Sequence, residues 1–213
     1  MQVVLGAETD HRGDVGDGEL GGPDQVQRTT TVLTTTDRSL QAKHHFGIMF
    51  SMKPRVYIET TIPSYLVGRP SRDLVVAAHQ ELTHEWWQNR RPTFGVFVSQ
   101  FVIDEAGLGD PGLAKARLKV IENLDQLEIT SDVGLLAARI VESRAIPEKA
   151  AADAAHIAAA AVHAMDYLLT WNCTHIANAE ISTKVRRVCE TAGFACPVIC
   201  TPEELMGGDD NEG

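Results

Sequence analysis

The sequence predicts an α/β fold, a three-layer sandwich with a central, mostly parallel five-stranded sheet and helices on both faces. Short segments rich in β-branched and aromatic residues alternate with longer segments whose apolar residues recur at helical spacing. Such alternation is typical of parallel sheets covered by helices. The composition is that of a globular protein, with 44% hydrophobic and 23% charged residues among 213.

Five short apolar segments are predicted to be strands. Each contains β-branched or aromatic residues and is bounded by turn or capping residues. The first, RVYI, is followed by two threonines and Pro63, which are expected to end it. The predicted strands cover residues 55–58, 94–98, 127–130, 167–170 and 198–200.

Six longer segments are predicted to be helices. Ser99 is placed to cap the second of them, Pro147 suits the first turn of the fifth, and Gly193 is a good C-cap for the last. A glycine-rich run, GLGDPG, marks a turn between the second and the third. The predicted helices cover residues 71–89, 100–107, 113–124, 131–143, 148–165 and 179–192.

Residues 1–51 differ in composition from the rest of the chain. Gly, Asp and Thr dominate, and no apolar period is sustained. Such a segment buries too little apolar surface to offset its ordering entropy. We expect it to be disordered, or to be an over-extended start of the reading frame with Met49 or Met52 as the natural first residue. The folded domain should cover residues 52–206, followed by a flexible acidic tail over residues 207–213.

Charge and hydropathy limit the classes of partner. The chain has 29 acidic and 19 basic residues, a formal net charge of -10, which argues against charge-driven nucleic-acid binding except at a local basic patch. No apolar run reaches the roughly 18 residues of a membrane span, and no secretory signal is visible. We therefore expect a cytoplasmic protein with no membrane contact. Its four cysteines form no CxxC pair and are expected to be reduced, packed thiols.

Four polar residues stand where predicted strands end or the following helices begin. Glu59 follows the first strand, and Glu105 lies on the helix after the second. Asp153 lies in the early turns of the Ala-rich helix, and Asn172 follows the fourth strand. Because the carboxyl ends of parallel strands meet at one edge of a sheet, these residues are expected to face one crevice. The glycine-rich phosphate loops of dinucleotide-binding proteins and P-loop NTPases are absent.

A cluster of three carboxylates would need a cation. Two close carboxylates repel by about 4 kcal/mol at an effective dielectric of about 20, and a hard divalent ion with oxygen ligands relieves this repulsion best. We therefore predict that Glu59, Glu105 and Asp153 bind Mg²⁺ or Mn²⁺ and that Asn172 completes the catalytic site. An ion of this kind polarises a phosphoryl oxygen and activates water, which predicts phosphodiester hydrolysis.

Three segments, VYIETTIPSYL, VSQFVIDEAG and AAADAAHIAAAAVHAMDYLLTWNCTHIANA, resemble the successive motifs of PIN-domain proteins, specifically the VapC-like toxins of bacterial toxin–antitoxin pairs. The resemblance runs from about Arg55 to Glu204, and the third motif is the most specific. It implies a compact PIN-like α/β sandwich with Mg²⁺- or Mn²⁺-dependent ribonuclease activity. It also implies an RNA substrate and a cognate antitoxin as partners, and it is compatible with a homodimer.

The same motifs imply roles for individual residues. Glu59 matches the first-strand acid of the family, Glu105 the second acid and Asp153 the third, while Asn172 falls where many members have a fourth acid. Two of these depart from the family pattern. Glu59 replaces the usual Asp, and its extra methylene shifts the carboxylate by about an ångström. Asn172 keeps an oxygen ligand without its charge, so metal affinity should fall, although three carboxylates remain.

Further residues are candidates for substrate contacts or for supporting the site, each with a plainer alternative. His156 lies three residues beyond Asp153 on the same helix face, where it would support the site or handle a proton, or else pack in the core. His175 would touch phosphate, and the basic residues of the last helix would contact the RNA backbone or form a solvated face. The complete set is Thr60, Thr61, His156, His175, Lys184, Arg186 and Arg187.

The leading hypothesis is a metal-dependent endoribonuclease, the toxin of a toxin–antitoxin pair. Activated water would attack phosphorus and leave 5′-phosphate and 3′-hydroxyl ends. The alternative is a catalytically silent PIN-like module that binds RNA or protein, with Glu59 and Asn172 as signs of a decayed site. A metal-dependent phosphatase or DNase is a third hypothesis, although the DxDx[TV] pattern of one large phosphatase class is absent.

Overall fold

The computed structural model of the chain describes residues 53–207. Residues 1–51, expected to be disordered or an over-extended start, lie outside the described residues. The expected acidic tail also lies outside them, apart from Gly207. None of the helices in the described residues combines the length and the hydrophobicity that a membrane span requires.

Five strands form one parallel sheet, which confirms the predicted α/β, PIN-like fold class. Each neighbouring pair is parallel, so the sheet is wholly rather than mostly parallel. Val56 of the central strand lies opposite Val96 on one side and Tyr167 on the other. The strands are β1 (Arg55–Ile58), β2 (Gly95–Ser99), β3 (Asp125–Leu127), β4 (Tyr167–Leu169) and β5 (Val198–Cys200), in the spatial order β3-β2-β1-β4-β5.

Seven α-helices are described around this sheet, one more than predicted. The additional helix is the first, in a segment where Pro63 was expected only to end a strand. Proline is tolerated there because the backbone N–H groups in the first turn of a helix have no intrahelical acceptor. The helices are α1 (Thr61–Val67), α2 (Leu74–Glu85), α3 (Gln100–Ala106), α4 (Pro111–Ile121), α5 (Ser131–Glu142), α6 (Ala151–Val162) and α7 (Ala179–Thr191).

Capping accounts for the main differences in predicted boundaries. α2 begins at Leu74, later than predicted, because the Asp73 carboxylate accepts hydrogen bonds from two backbone N–H groups of its first turn. It continues into a π-helical turn (Trp86–Arg90) and a 3-10 turn (Arg91–Thr93). β3 ends at Leu127 rather than residue 130, since Thr130 caps α5.

Three further expectations about the elements are corrected. Ser99 does not cap α3 through its side chain; its hydroxyl lies 2.7 Å from the Tyr57 hydroxyl instead. α4 begins at Pro111, inside the segment predicted as a turn. The Ala-rich helix is shorter than predicted, because a 3-10 turn (Glu148–Ala150) precedes α6 and Ala164 beyond its end has a φ of 50°.

Both faces of the sheet are covered. Val56, Tyr57 and Ile58 of β1 are each 0% exposed, and successive side chains of a strand point to opposite faces. α6 is itself enclosed on nearly every side, since almost all of residues 154–161 are buried. Its small alanine side chains allow neighbouring elements to approach closely. α6 therefore carries Asp153 and His156 through the core at fixed positions.

The four cysteines, Cys173, Cys189, Cys196 and Cys200, are free thiols. Cys189 and Cys200 are buried and Cys196 is half-buried, as expected of packed thiols. Cys173 is exposed, because it lies in the loop that follows β4. The expectation of packing is therefore wrong for Cys173.

Candidate functional site

The strand order creates a switch point between β1 and β4. From β1 the chain moves outward to β2 and β3, and on the other side β4 is followed by β5. Ligands of open α/β sheets bind in the crevice outside the carboxyl ends of strands at such a point. Glu59 directly follows β1, Thr170 directly follows β4, and Glu105 lies on α3 immediately after β2. The predicted meeting of these segments at one edge is observed.

Glu59 is a buried carboxylate with one anchored oxygen. It is 5% exposed, and burial of a carboxylate is costly unless hydrogen bonds replace its water. Its Oε2 accepts three hydrogen bonds: from the Thr61 N–H at 3.1 Å, from the Thr61 hydroxyl at 2.6 Å and from the Thr170 hydroxyl at 2.8 Å. These bonds fix the direction of the carboxylate.

Glu105 is held in the same way from the other side. Its Oε2 accepts a hydrogen bond from the Thr60 hydroxyl and lies 3.2 Å from His156 Nε2. Burial raises the pKa of the Glu105 carboxyl, but the hydrogen bond and charge of His156, together with the Thr60 hydrogen bond, lower it more. The net effect is a pKa below the usual value, so Glu105 is ionised at neutral pH. The two neighbouring threonines thus donate to different acids, Thr60 to Glu105 and Thr61 to Glu59.

His156 is the link between this edge and the core. Its side chain is 1% exposed, and its Nδ1 lies 2.7 Å from the Tyr57 hydroxyl, which in turn lies 2.7 Å from the Ser99 hydroxyl. Burial raises the pKa of Tyr57 far above its usual range, so the phenol keeps its proton. In the neutral imidazole, one nitrogen donates and the other accepts, so if Tyr57 donates to Nδ1, then Nε2 carries the proton and donates to Glu105. If Nδ1 donates to Tyr57, Nε2 has a free lone pair for a metal ion.

Glu59, Glu105 and His156 form a group that could hold a metal ion. One ligand atom from each lies within 4.8 Å of the others. Among the described residues, no hydrogen bond reaches Oε1 of either carboxylate, since every donor binds Oε2. Carboxylate oxygens suit Mg²⁺ or Mn²⁺, and imidazole nitrogen suits later transition metals. The donor set therefore fits a divalent cation without deciding which one.

Asp153 lies in an adjacent group. Its Oδ1 accepts a hydrogen bond from Asn172 Nδ2 at 2.9 Å, and its Oδ2 lies 3.0 Å from His175 Nδ1. The Asn172 N–H donates to the Thr170 hydroxyl, which donates to Glu59, so the two groups are connected. His156, rather than Asp153, is the third member of the metal-capable group. The role of Asp153 as a metal ligand stays a prediction.

The basic candidates stand apart from these contacts. Lys184, Arg186 and Arg187 are exposed on α7, which begins after the Asn178 cap. No hydrogen bond or ion pair among the described residues links them to the acidic groups. Their contact with an RNA backbone stays a prediction.

Sequence reasoning did not identify two residues that organise the site. Thr170 was treated as the last residue of a strand, although a hydroxyl directly before the Trp-Asn pair was a usable signal. Tyr57 was assigned only to a strand, and its contact with His156 spans 99 residues of sequence. His156, predicted either to support the site or to pack in the core, is buried and also contacts Glu105.

Known proteins give no guide to the function of this chain. No protein-family model matches the chain, and no curated protein is similar to it in sequence. Among solved structures, it is similar to a chain in the crystal structure of VapBC2 from Rickettsia felis bound to a DNA fragment from their promoter. The identity is 12%, the TM-score is 0.40, and the match covers 68% of this chain and 97% of that chain. The function of this chain therefore has to be inferred from its own residues.

Proposed function

We propose that the chain is a divalent-metal-dependent endoribonuclease that hydrolyses phosphodiester bonds at the carboxyl edge of its sheet. One observation carries the proposal: Glu59 and Glu105 are each anchored through Oε2, while no described hydrogen-bond donor binds either Oε1. Two such carboxylates within 4.8 Å repel each other. A cation between them would remove this repulsion, and a purely structural pair of acids would not need the same free oxygens.

Each residue of the site has a role in this proposal. Glu59 and Glu105 hold the ion, and His156 either fixes Glu105 by donating to it or adds a nitrogen ligand. Asp153 is the proposed third acid, and it orients Asn172 and His175 beside the same edge. When bound, a divalent cation supplies polarisation of the phosphoryl oxygen and activation of water.

RNA as the substrate is supported by the resemblance of three sequence segments to VapC-like toxins. The same resemblance supports a cognate antitoxin that covers the acidic edge, and a homodimer. Lys184, Arg186 and Arg187 are the proposed contacts for the RNA backbone, because their exposed side chains are free to meet phosphate. The acidic net charge makes such local contacts necessary.

The test is cleavage of single-stranded RNA by the full-length chain with Mg²⁺, with Mn²⁺ and with EDTA. We expect metal-dependent products that carry 5′-phosphate and 3′-hydroxyl ends. Glu105→Gln and Asp153→Asn should abolish cleavage while the circular dichroism spectrum stays unchanged. Asp104→Asn is the matched control, because Asp104 precedes Glu105 on α3 but is exposed and accepts from Gln100. Cleavage that persists in EDTA, or in both site variants, would contradict the proposal.

A catalytically silent module remains the second candidate, and two observations favour it. Asn172 carries no charge, and both oxygens of Asp153 are already engaged by neighbouring side chains. Such a module would bind RNA or protein without needing metal. Calorimetric titration with Mn²⁺ separates the candidates, since a decayed site should give no saturable binding where the nuclease gives one.

A further inference from the structure

Three aromatic side chains form a stack beside the acidic edge. The His79 ring lies on the Trp171 ring with centroids 3.9 Å apart and planes 14° apart. The Tyr65 ring lies edge-on to both, with centroids 6.0 Å from His79 at 69° and 6.3 Å from Trp171 at 82°. These residues come from α2, from the loop after β4 and from α1, respectively. We call Tyr65, His79 and Trp171 the aromatic platform.

The aromatic platform is connected to the acids by short hydrogen bonds. The backbone N–H of Trp171 donates to the Thr61 hydroxyl at 2.9 Å, and that hydroxyl donates to the Glu59 carboxylate. Trp171 also stands in sequence between Thr170 and Asn172, which bind the two acidic groups. Burial raises the pKa of Tyr65, and negative groups that include Glu59 add to the rise, as expected for a phenol near the site. The platform and the acids therefore belong to one surface.

The base of the platform is rigid and its upper rings are reachable. Trp171 is 8% exposed, and its Nε1 donates to the Thr83 hydroxyl at 2.7 Å. Thr83 is fully buried in turn. Tyr65 and His79 are only half-buried. A stack with a fixed Trp171 ring and two partly exposed rings beside it can accept another flat ring with little loss of conformational entropy.

We propose that the aromatic platform binds an unpaired nucleobase of the RNA substrate, stacked on His79 with Tyr65 beside it. This inference rests on the proposed function and adds a subsite to it. Proteins that bind single-stranded nucleic acid use aromatic rings in this way, because every base has a stacking face. Stacking also suits a chain of net charge -10, since it adds affinity without requiring positive charge. One base of the bound strand is thereby fixed next to Glu59 and Glu105.

The test measures kcat/KM for Mn²⁺-dependent cleavage of single-stranded oligoribonucleotides that carry one abasic position, moved along the strand. For the wild-type chain, one abasic position should lower kcat/KM by about 5- to 150-fold, the range for loss of one base–aromatic stack. In His79→Ala the same abasic position should lower kcat/KM by no more than about 2-fold, because the stack is already lost. His79→Phe should restore the abasic effect.

His84→Ala is the matched control, because His84 lies in the last turn of the same helix. It should show the wild-type abasic effect. His79→Leu keeps the bulk of the side chain without the ring and replaces His79→Ala in the comparison if the alanine variant does not fold. A structural role for His79 would lower activity equally on intact and abasic strands, so equal abasic effects in wild type and His79→Ala would overturn the platform and leave the nuclease standing. No metal-dependent cleavage by the wild type would overturn the proposed function, and the platform with it.

Discussion

Metal-dependent stability offers a direct test of the pair of acids at the sheet edge. We predict that Mn²⁺ stabilises the folded wild-type chain and that Glu105→Gln removes most of this stabilisation. The substitution keeps the side-chain shape and an oxygen that can accept from Thr60, but it removes one of the two charges facing the ion. The quantity to compare is the increase in melting temperature caused by the metal, not the melting temperature of the metal-free protein.

The size of the effect follows from the spacing of the ligand atoms. Carboxylates no more than 4.8 Å apart repel by about 3.5 kcal/mol at an effective dielectric of about 20. A ligand at 100 times its Kd stabilises the folded state by about 2.7 kcal/mol, which raises Tm by roughly 5 to 10 °C for a chain of this size. If relief of the repulsion contributes its full value to binding, its loss raises Kd about 300-fold. At the same metal concentration, Mn²⁺ then stabilises folded Glu105→Gln by less than about 0.5 kcal/mol and raises its Tm by less than about 2 °C.

Differential scanning calorimetry of the full-length chain with and without Mn²⁺ is the assay. Asp104→Asn is again the control. It should show the same metal-induced increase in melting temperature as the wild type, because the Asp104 side chain is exposed beside Glu105. Equal metal-induced shifts in wild type and Glu105→Gln would refute the reasoning. They would mean that the ion binds elsewhere on this acidic chain.

Three further predictions concern the core, the acid and the thiols. Ile157→Ala should lower the free energy of unfolding by about 2 to 5 kcal/mol in urea titrations, because Ile157 is 0% exposed. The control is Leu135→Ala, which should change this free energy by less than about 0.5 kcal/mol because Leu135 is 61% exposed. Similar losses in the two variants would contradict the buried position of Ile157. In the metal-free chain, burial raises the pKa of Glu105 but its hydrogen bonds lower it more, to below its ordinary 4.5. The contacts with His156 and Thr60 thus outweigh burial and the repulsion from Glu59, so ionised Glu105 stabilises the fold above that pH. This contribution is lost as pH falls through the folded-state pKa, and acid titrations of stability should show a smaller decline in Glu105→Gln. A hydrogen bond from the Cys189 thiol lowers the pKa of half-buried Cys196. Burial raises the pKa of Cys200 to about 12. Iodoacetamide near neutral pH followed by mass spectrometry should label Cys196 well before Cys200, and equal labelling rates would contradict this.

The adjacent Asp153 group gives the site a second layer. Asp153, Asn172 and His175 are joined by hydrogen bonds and an ion-pair contact, and Thr170 connects them to Glu59. Asn172 is an uncharged amide, so the edge beside Glu59 carries less negative charge than it would with a carboxylate at this position.

The alternation of strands and helices and the places of Glu59 and Glu105 were predictable from sequence because both are local properties. A run such as RVYI favours a strand by its own composition, and an acid directly after it must lie at the strand's carboxyl end. Helix α1 was not predictable in the same way, because Pro63 reads as a breaker unless its position in the first turn is known. Its seven residues depend on packing against the core more than on their own propensity.

The sequence alone determined a parallel α/β sheet, an acid at the end of its first strand, another on the helix after its second strand, and a histidine one turn beyond Asp153. Only the tertiary structure decided how these groups pair. Thr170 reaches Glu59 across 111 residues, and His156 reaches Glu105 across 51. Spacing along the chain carries no information about such contacts, because they depend on strand order and on the direction of each side chain from its own element. The same reason explains why His79 and Trp171, 92 residues apart by their numbering, stack only in the folded chain.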